Sequence, residues 1–269
     1  LTDGRLDSSF AENGWLTTDF NGDDYARSVA IQPDGKIVVA GSNTYRALVA
    51  RYNTDGSLDE SFGNSGLVIT RVNSFPIINA MALQADGKIV LAGTLSSNSN
   101  GSVVMCRYTP DGKPDEAFGK SGVLISDWVQ GYGEICNDMV IQNDGKILLA
   151  GSVVISGASY AKQSIVRYNQ DGSFDNSFGE NGVALYDIEN FILNANSIVI
   201  QPDGKIISSG QISQYPSFTA FYLIRFQSNG TVDLGFGNEG LAKTEILDGA
   251  ISYEVLIHEN KIFAAGFSA

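Results

Sequence analysis

One ten-residue phrase recurs along this chain, and its return at a near-constant interval limits the fold more than any other property. Gln32-Pro33-Asp34-Gly35-Lys36-Ile37-Val38-Val39-Ala40-Gly41 comes back from Gln84, Gln142 and Gln201, and in a worn copy from His258, at spacings of 52, 58, 59 and 57 residues. A second phrase, Arg51-Tyr52-Asn53-Thr54-Asp55-Gly56-Ser57-Leu58-Asp59-Glu60-Ser61-Phe62-Gly63 closing with Gly66, returns from Arg107, Arg167 and, more loosely, Arg225. Its tail also stands near the start of the chain, from Asp3 to Phe10 with Gly14. A period of this length marks a repeat architecture, in which one supersecondary unit buries its apolar faces only by stacking on its neighbours.

Each unit holds four candidate strands, which in the second unit are Leu67 to Val72, Asn79 to Gln84, Lys88 to Thr94 and Val103 to Tyr108. β-Branched residues dominate them and no stretch has a 3.6-residue period. The Asp-Gly pair between the second and third strands predicts a type I′ hairpin, which needs positive φ at both central residues. Four antiparallel strands repeated at about 50 residues predict an all-β propeller. The reading is one domain over 1–269 with five four-stranded blades, at about 14–53, 66–109, 122–169, 182–227 and 240–269. The fifth blade lacks its outer strand, and because sheets cover their edges, residues outside the chain or a partner chain are expected to complete it.

The phrases QPDGKIVVAG and RYNTDGSLDESFG resemble the delta-60 repeat family of bacterial tandem-repeat proteins, over nearly the whole chain. The resemblance implies a propeller-like β architecture in a secreted or surface protein and carries no catalytic activity with it. The last unit departs from the pattern, with Glu259-Asn260 in place of Asp-Gly.

Several function classes are disfavoured by composition. Thirty acids against 17 bases leave a net charge of -13, which repels phosphate backbones and argues against a nucleic-acid partner. No run of 18 apolar residues crosses a bilayer, and no signal peptide is present, as in a mature chain that has lost one. Cys106 and Cys136 belong to no CxxC pair and read as isolated core thiols, with a disulfide as the alternative. His258 is the single histidine and stands where four repeats have glutamine. No phosphate-binding glycine loop or zinc spacing occurs, so no cofactor is expected. Asn53 to Asp59 hints at a calcium loop but lacks its dense acids, and Asx turns explain it more simply.

Three groups of polar and aromatic residues remain. Arg51, Arg107, Arg167 and Arg225 each precede an acid, Asp59, Asp115, Asp175 and Asp233, with Asp7 for the first turn. A one-to-one stoichiometry predicts bidentate ion pairs that lock each blade to its neighbour, and the alternative is a ring of ligand sites. Five residues after a glycine come Asp19, Arg71, Asp127, Asp187 and Glu245, on strands expected to line the central channel, so these are expected to ring its mouth as a cation site or a hydrated rim. Both Asp-Gly connections lie on one face and are nearly constant. The opposite face varies and carries Tyr25, Phe75, Trp128, Tyr132, Tyr160, Phe191 and Tyr215. Rings mixed with amides suit carbohydrate or protein ligands, while loop drift gives the same pattern. The expected function is a non-enzymatic binding or adhesion module of a secreted or surface protein, with carbohydrate as a ligand class. The alternatives are a structural scaffold in a larger surface protein and, third, a glycan-active hydrolase, which needs a placed pair of carboxylates.

Overall fold

The computed structural model describes residues 3–72, 74–96, 101–154, 160–214, 218–244 and 249–268, and among them there is no helix. The first sheet contains β1 (Tyr25–Ile31), β2 (Ile37–Asn43), β3 (Arg46–Tyr52) and β4 (Leu67–Arg71). The second contains β5 (Phe75–Leu83), β6 (Ile89–Ser96), β7 (Ser102–Tyr108) and β8 (Val123–Ser126). The third contains β9 (Gly133–Ile141), β10 (Ile147–Val154), β11 (Ala161–Tyr168) and β12 (Val183–Tyr186). The fourth contains β13 (Ile192–Ile200), β14 (Ile206–Gln214), β15 (Phe218–Phe226) and β16 (Leu241–Thr244), and β17 (Ala250–His258) pairs with β18 (Lys261–Ser268) in a fifth. Within each sheet the strands are antiparallel and in chain order. One parallel bridge, Ala161 with Ile192, ties the third sheet to the fourth.

The first strands touch one another in succession, β1 with β5, β5 with β9, β9 with β13 and β13 with β17, which sets them innermost in a propeller-like arrangement. This corrects the expected blade limits. The strands that follow Gly66, Gly122, Gly182 and Gly240 do not open the next sheet. They turn back and pair with β3, β7, β11 and β15 as the outer strands of their own sheets. The cause is local. The connection after Tyr52 folds onto the strand end, with Arg51 N donating to Gly66 O at 2.9 Å and Asp59 N donating to Arg51 O at 2.9 Å, so the chain leaves antiparallel to β3.

The hairpin chemistry also differs from expectation. Only the glycine of each Asp-Gly pair has positive φ, 85° at Gly35, and its N–H donates to Gln32 O at 2.8 Å. That is a three-residue loop with proline or another residue leading and glycine in the left-handed position. Two positive φ values occur instead at Glu259 (49°) and Asn260 (60°), in the worn copy.

The final glycine of the first phrase has a separate reason. Each first strand carries a bulge, at Arg27, Asn79, Asn137, Asn196 and Tyr253, which swings a carbonyl toward the second strand. A Cβ at Gly41, Gly93, Gly151, Gly210 or Gly266 would lie 1.7–2.0 Å from that oxygen. The core lies between sheets. One face of the first, built from Val38, Ala40, Ala47 and Val49, packs on Ile89, Leu91, Cys106 and Tyr108 of the second, and the pattern continues to the fourth. Cys106 and Cys136 are buried as free thiols.

Candidate functional site

The repeated arginines sit at the ends of β3, β7, β11 and β15, where the returning connection wraps each side chain. Arg51, Arg107 and Arg167 donate from Nε to Asp59, Asp115 and Asp175 at 2.7 Å, and Arg225 to Asp233 at 2.8 Å. The expected bidentate geometry is replaced by a split fork. A second guanidinium nitrogen crosses to the next sheet's connection, where Arg51 donates to Pro110 O at 2.6 Å and Arg167 to Ser228 O at 2.7 Å, and Arg107 donates to Gln170 O. Sequence reasoning missed two further members. The phrase lysines Lys36, Lys88, Lys146 and Lys205 reach the same carboxylates at 2.8, 3.4, 2.9 and 3.1 Å. Phe62, Phe118, Phe178 and Phe236 lie 4.4–4.6 Å beneath the guanidinium carbons. Both residue types recur at fixed spacing, so the signal was present. Burial pushes the Asp59 and Asp175 carboxyls up, but the lysine, serine and arginine donors outweigh it and hold both well below the usual carboxylate range. These junctions are filled by the protein's own groups.

A second set of ties runs near the axis. The bulge asparagines Asn79, Asn137 and Asn196 donate from Nδ2 to Cys136 O, Ala195 O and Ser252 O of the next first strand, each at 2.8 Å. All three stand five residues before the phrase glutamine, a pattern visible in the chain. The first and last sheets have Arg27 and Tyr253 there instead.

The acids expected at the channel mouth lie on or beside the outer strands, far from the axis in strand order. Asp187 pairs with Lys162 at 2.8 Å, and Asp19 accepts from Asn21 N at 2.7 Å. Arg71 ends β4 opposite Arg46, and Asp127 follows β8. Glu245 falls outside the described residues. Among the described residues, the acids on the innermost strands are Glu134 and Asp138 on β9 and Glu254 on β17. Ser197 Oγ donates to Glu254 at 3.2 Å, while Asp138 accepts from Met139 N and Ile198 N, each at 2.8 Å. Burial, aided by Glu254, pushes Asp138 up to about 6 against those donors.

On the variable face, the aromatic candidates divide. Tyr25 (60% exposed) and Phe75 (48%) are open, and Tyr45 (55%), which sequence reasoning missed, tilts against Phe75 with ring centroids 4.8 Å apart. Trp128 corrects its expected role. It is buried, and its indole N–H donates to Tyr168 Oη at 2.7 Å. Tyr132 and Phe191 are half-buried against the cores of the third and fourth sheets. Tyr160 is half-buried, and Tyr215 lies outside the described residues. Beneath the 127–132 loop, the buried Glu134 carboxylate accepts from Trp128 N at 2.8 Å and Val129 N at 3.0 Å. Burial, with Asp127 adding, pushes Glu134 up to about 7. Asp55 accepts from Ser57 N and Oγ, an Asx turn, and among the described residues no three His, Cys, Asp or Glu side chains converge on a metal position. No helix among them is long and apolar enough to cross a membrane.

Comparison with known proteins adds a family. A family model described as a β-propeller domain of unknown function, DUF5122, matches residues 32–62, 84–118, 142–178 and 201–236, together just over half of the chain. No curated protein matches the sequence. Among solved structures, the chain is similar to a protein of unknown function from Dyadobacter fermentans, at 14% identity and TM-score 0.58, covering 91% of this chain and 76% of that one. It is also similar to a PQQ-bound aldose sugar dehydrogenase from Streptomyces coelicolor, at 14% identity and TM-score 0.51, covering 91% and 75%. A GH43 endo-arabinanase from Bacillus licheniformis aligns at 15% identity and TM-score 0.47, covering 93% and 91%. The sugar dehydrogenase overturns the expectation that such a chain is not an enzyme, because the same fold serves a catalyst. At this identity the likeness shows the fold and not the reaction.

Proposed function

The chain belongs to the DUF5122 β-propeller family, and on that premise we propose that it is a five-bladed propeller that binds carbohydrate on its variable loop face. The observation that carries this reading is the exposed Tyr45–Phe75 pair, with Tyr25 at the same end of the neighbouring strand. Apolar ring faces left in water are costly unless a ligand covers them, and sugar C–H faces stack on such rings. The net charge of -13 favours neutral or basic sugars over acidic ones. The family resemblance supports a place outside the cell or on its surface. A glycan array followed by titration calorimetry tests the binding. Loss of binding in Phe75→Ala and Tyr45→Ala, with unchanged melting, is the expected result, and glycan binding that survives both substitutions refutes the site. Mass analysis of the recovered glycan reads in the same experiment whether it is altered.

A second reading, a scaffold unit in a larger β assembly, is favoured by one observation. Apolar residues on the outward flanks of the first and last sheets are open, with Val29 65% and Phe263 47% exposed.

A further inference from the structure

The third sheet opens on a buried acid whose second oxygen the fold leaves without a donor. Glu134 is 1% exposed near the start of β9. Its Oε1 takes the Trp128 and Val129 N–H groups, while among the described residues its buried Oε2 has no hydrogen-bond partner. A buried polar atom without a partner is destabilising, and a charged one more so. The first sheet holds the same clasp in completed form. Asp24 stands three residues before the bulge at Arg27, as Glu134 stands three before the bulge at Asn137. One Asp24 oxygen accepts from Phe20 N at 2.7 Å, and Asn43 Nδ2 donates to the other at 2.9 Å. Pro76, Leu193 and Ala250 hold that place in the remaining sheets. Beside Glu134 the neighbouring side chain is an acid, since Asp127 lies within hydrogen-bonding reach of its carboxyl. Two carboxyls in such contact repel when both are ionised, and one shared proton supplies the missing donor.

We propose that Glu134 and Asp127 form a proton-operated latch on the 127–132 loop, closed while the pair holds one proton and released when that proton leaves. The latch holds Trp128. The indole N–H donates to Tyr168 Oη, which donates in turn to Ser126 Oγ at 2.7 Å. Trp128, Val129 and Gln130 form one wall of a groove of about 840 Å³, and Phe174, Val183 and Leu185 stand on the other. Release of the loop withdraws the first wall, which widens the groove and brings the indole to the variable face. The surroundings supply no charge to neutralise a second carboxylate. Of the strands packed on β9, β5, β6, β10 and β13 carry no ionisable side chain. β7 brings Cys106, Tyr108 and Arg107, and Arg107 is committed to Asp115. On β11, Tyr168 faces the Glu134 carboxyl, and Lys162, turned toward Tyr132, is held by Asp187 at 2.8 Å. The Cys136 thiol on β9 itself is pushed up by burial and stays neutral. Burial, with Asp127 adding, lifts Glu134 to about 7. The folded value is raised, so the latch is closed below it and opens as pH rises through it.

A chain with Trp15→Phe keeps Trp128 as its single tryptophan. Its emission and acrylamide quenching, followed from about pH 5 to about pH 9, test the latch. A red shift with several-fold stronger quenching is expected, centred at about pH 7. The ratio of open to closed loop should rise about tenfold per pH unit, the slope of one proton, with far-UV circular dichroism unchanged. Glu134→Gln accepts from the same two N–H groups and donates to Asp127, so it should hold the closed emission throughout. Asp127→Asn removes the repelling charge and should move the transition to lower pH. The proposal fails if Trp128 emission is independent of pH, if the change coincides with loss of the sheet signal, or if either variant titrates as its parent does. It also fails if calcium added at about pH 8 saturably restores the closed emission, because the two carboxyls would then be a cation site.

Discussion

The second strands of the second and fifth sheets carry one phrase in two environments. In β6, Val90 and Ala92 are fully buried, while at the same places in β18 Phe263 is 47% exposed and Ala265 is open. On the first strands, Met81, Met139, Ile198 and Val255 are 3–8% exposed, whereas Val29 in β1 is 65% exposed. The residues are all apolar and hold equivalent strand positions, so the difference follows the presence or absence of a neighbouring sheet. Burial in this fold is a property of the contact between sheets, and stability is concentrated at the inner contacts.

The sharpest way to break that comparison is the arginine junction. Arg107→Ala leaves Asp115 buried without its main partner and should cost about 3–5 kcal/mol in urea denaturation, by the penalty of a broken buried pair. Asp7→Asn, at the same place on the open flank, should leave the denaturation midpoint unmoved. Core truncation comes next. Met139→Ala should cost about 2–5 kcal/mol, and Val29→Ala at the equivalent exposed place no more than about 0.5 kcal/mol. The bulge asparagines give a smaller contrast. Asn137→Ala removes one interstrand hydrogen bond and should cost about 1 kcal/mol, while Arg27→Ala should not change thermal melting measurably.

Protonation sharpens the comparison last, because two classes of carboxyl act with opposite sign. Asp59 and Asp175 titrate below their unfolded range, so the stability they add is complete above it and is lost as pH falls through their folded values. Glu134 at about 7 and Asp138 at about 6 lie above theirs, so the folded state holds more protons and stability falls as pH rises through that window. Glu134→Gln keeps an acceptor for the Trp128 and Val129 N–H groups. It should flatten the decline between about pH 5 and 7.5, read by denaturation across that range. An unchanged decline would place the effect on other groups.

How much of this was legible follows from the same physics. The repeat, the strands and the split between a constant and a variable face follow from spacing and alternation, which are local. The arginine–aspartate stoichiometry was legible because each unit repeats it. The strand after Gly66 was assigned to the wrong sheet because pairing depends on the Arg51 and Gly66 backbone hydrogen bond, which no side-chain pattern announces. That one reversal moved Asp19, Arg71, Asp127 and Asp187 from the axis to the rim. Trp128 was read as a loop aromatic, yet its partner Tyr168 lies 40 residues away and buries it. The asparagine ties required knowing that a bulge turns residue 79, 137 or 196 toward the next sheet.

Amide hydrogen exchange on the free chain tests the dependence of each sheet on its neighbour most directly. Amides of Ile147–Val154 in β10 should exchange only with global unfolding, and those of Lys261–Phe267 in β18 should exchange orders of magnitude faster. Equal, slow exchange in both strands would contradict the account, because it would show the last sheet to be as fully covered as the inner ones.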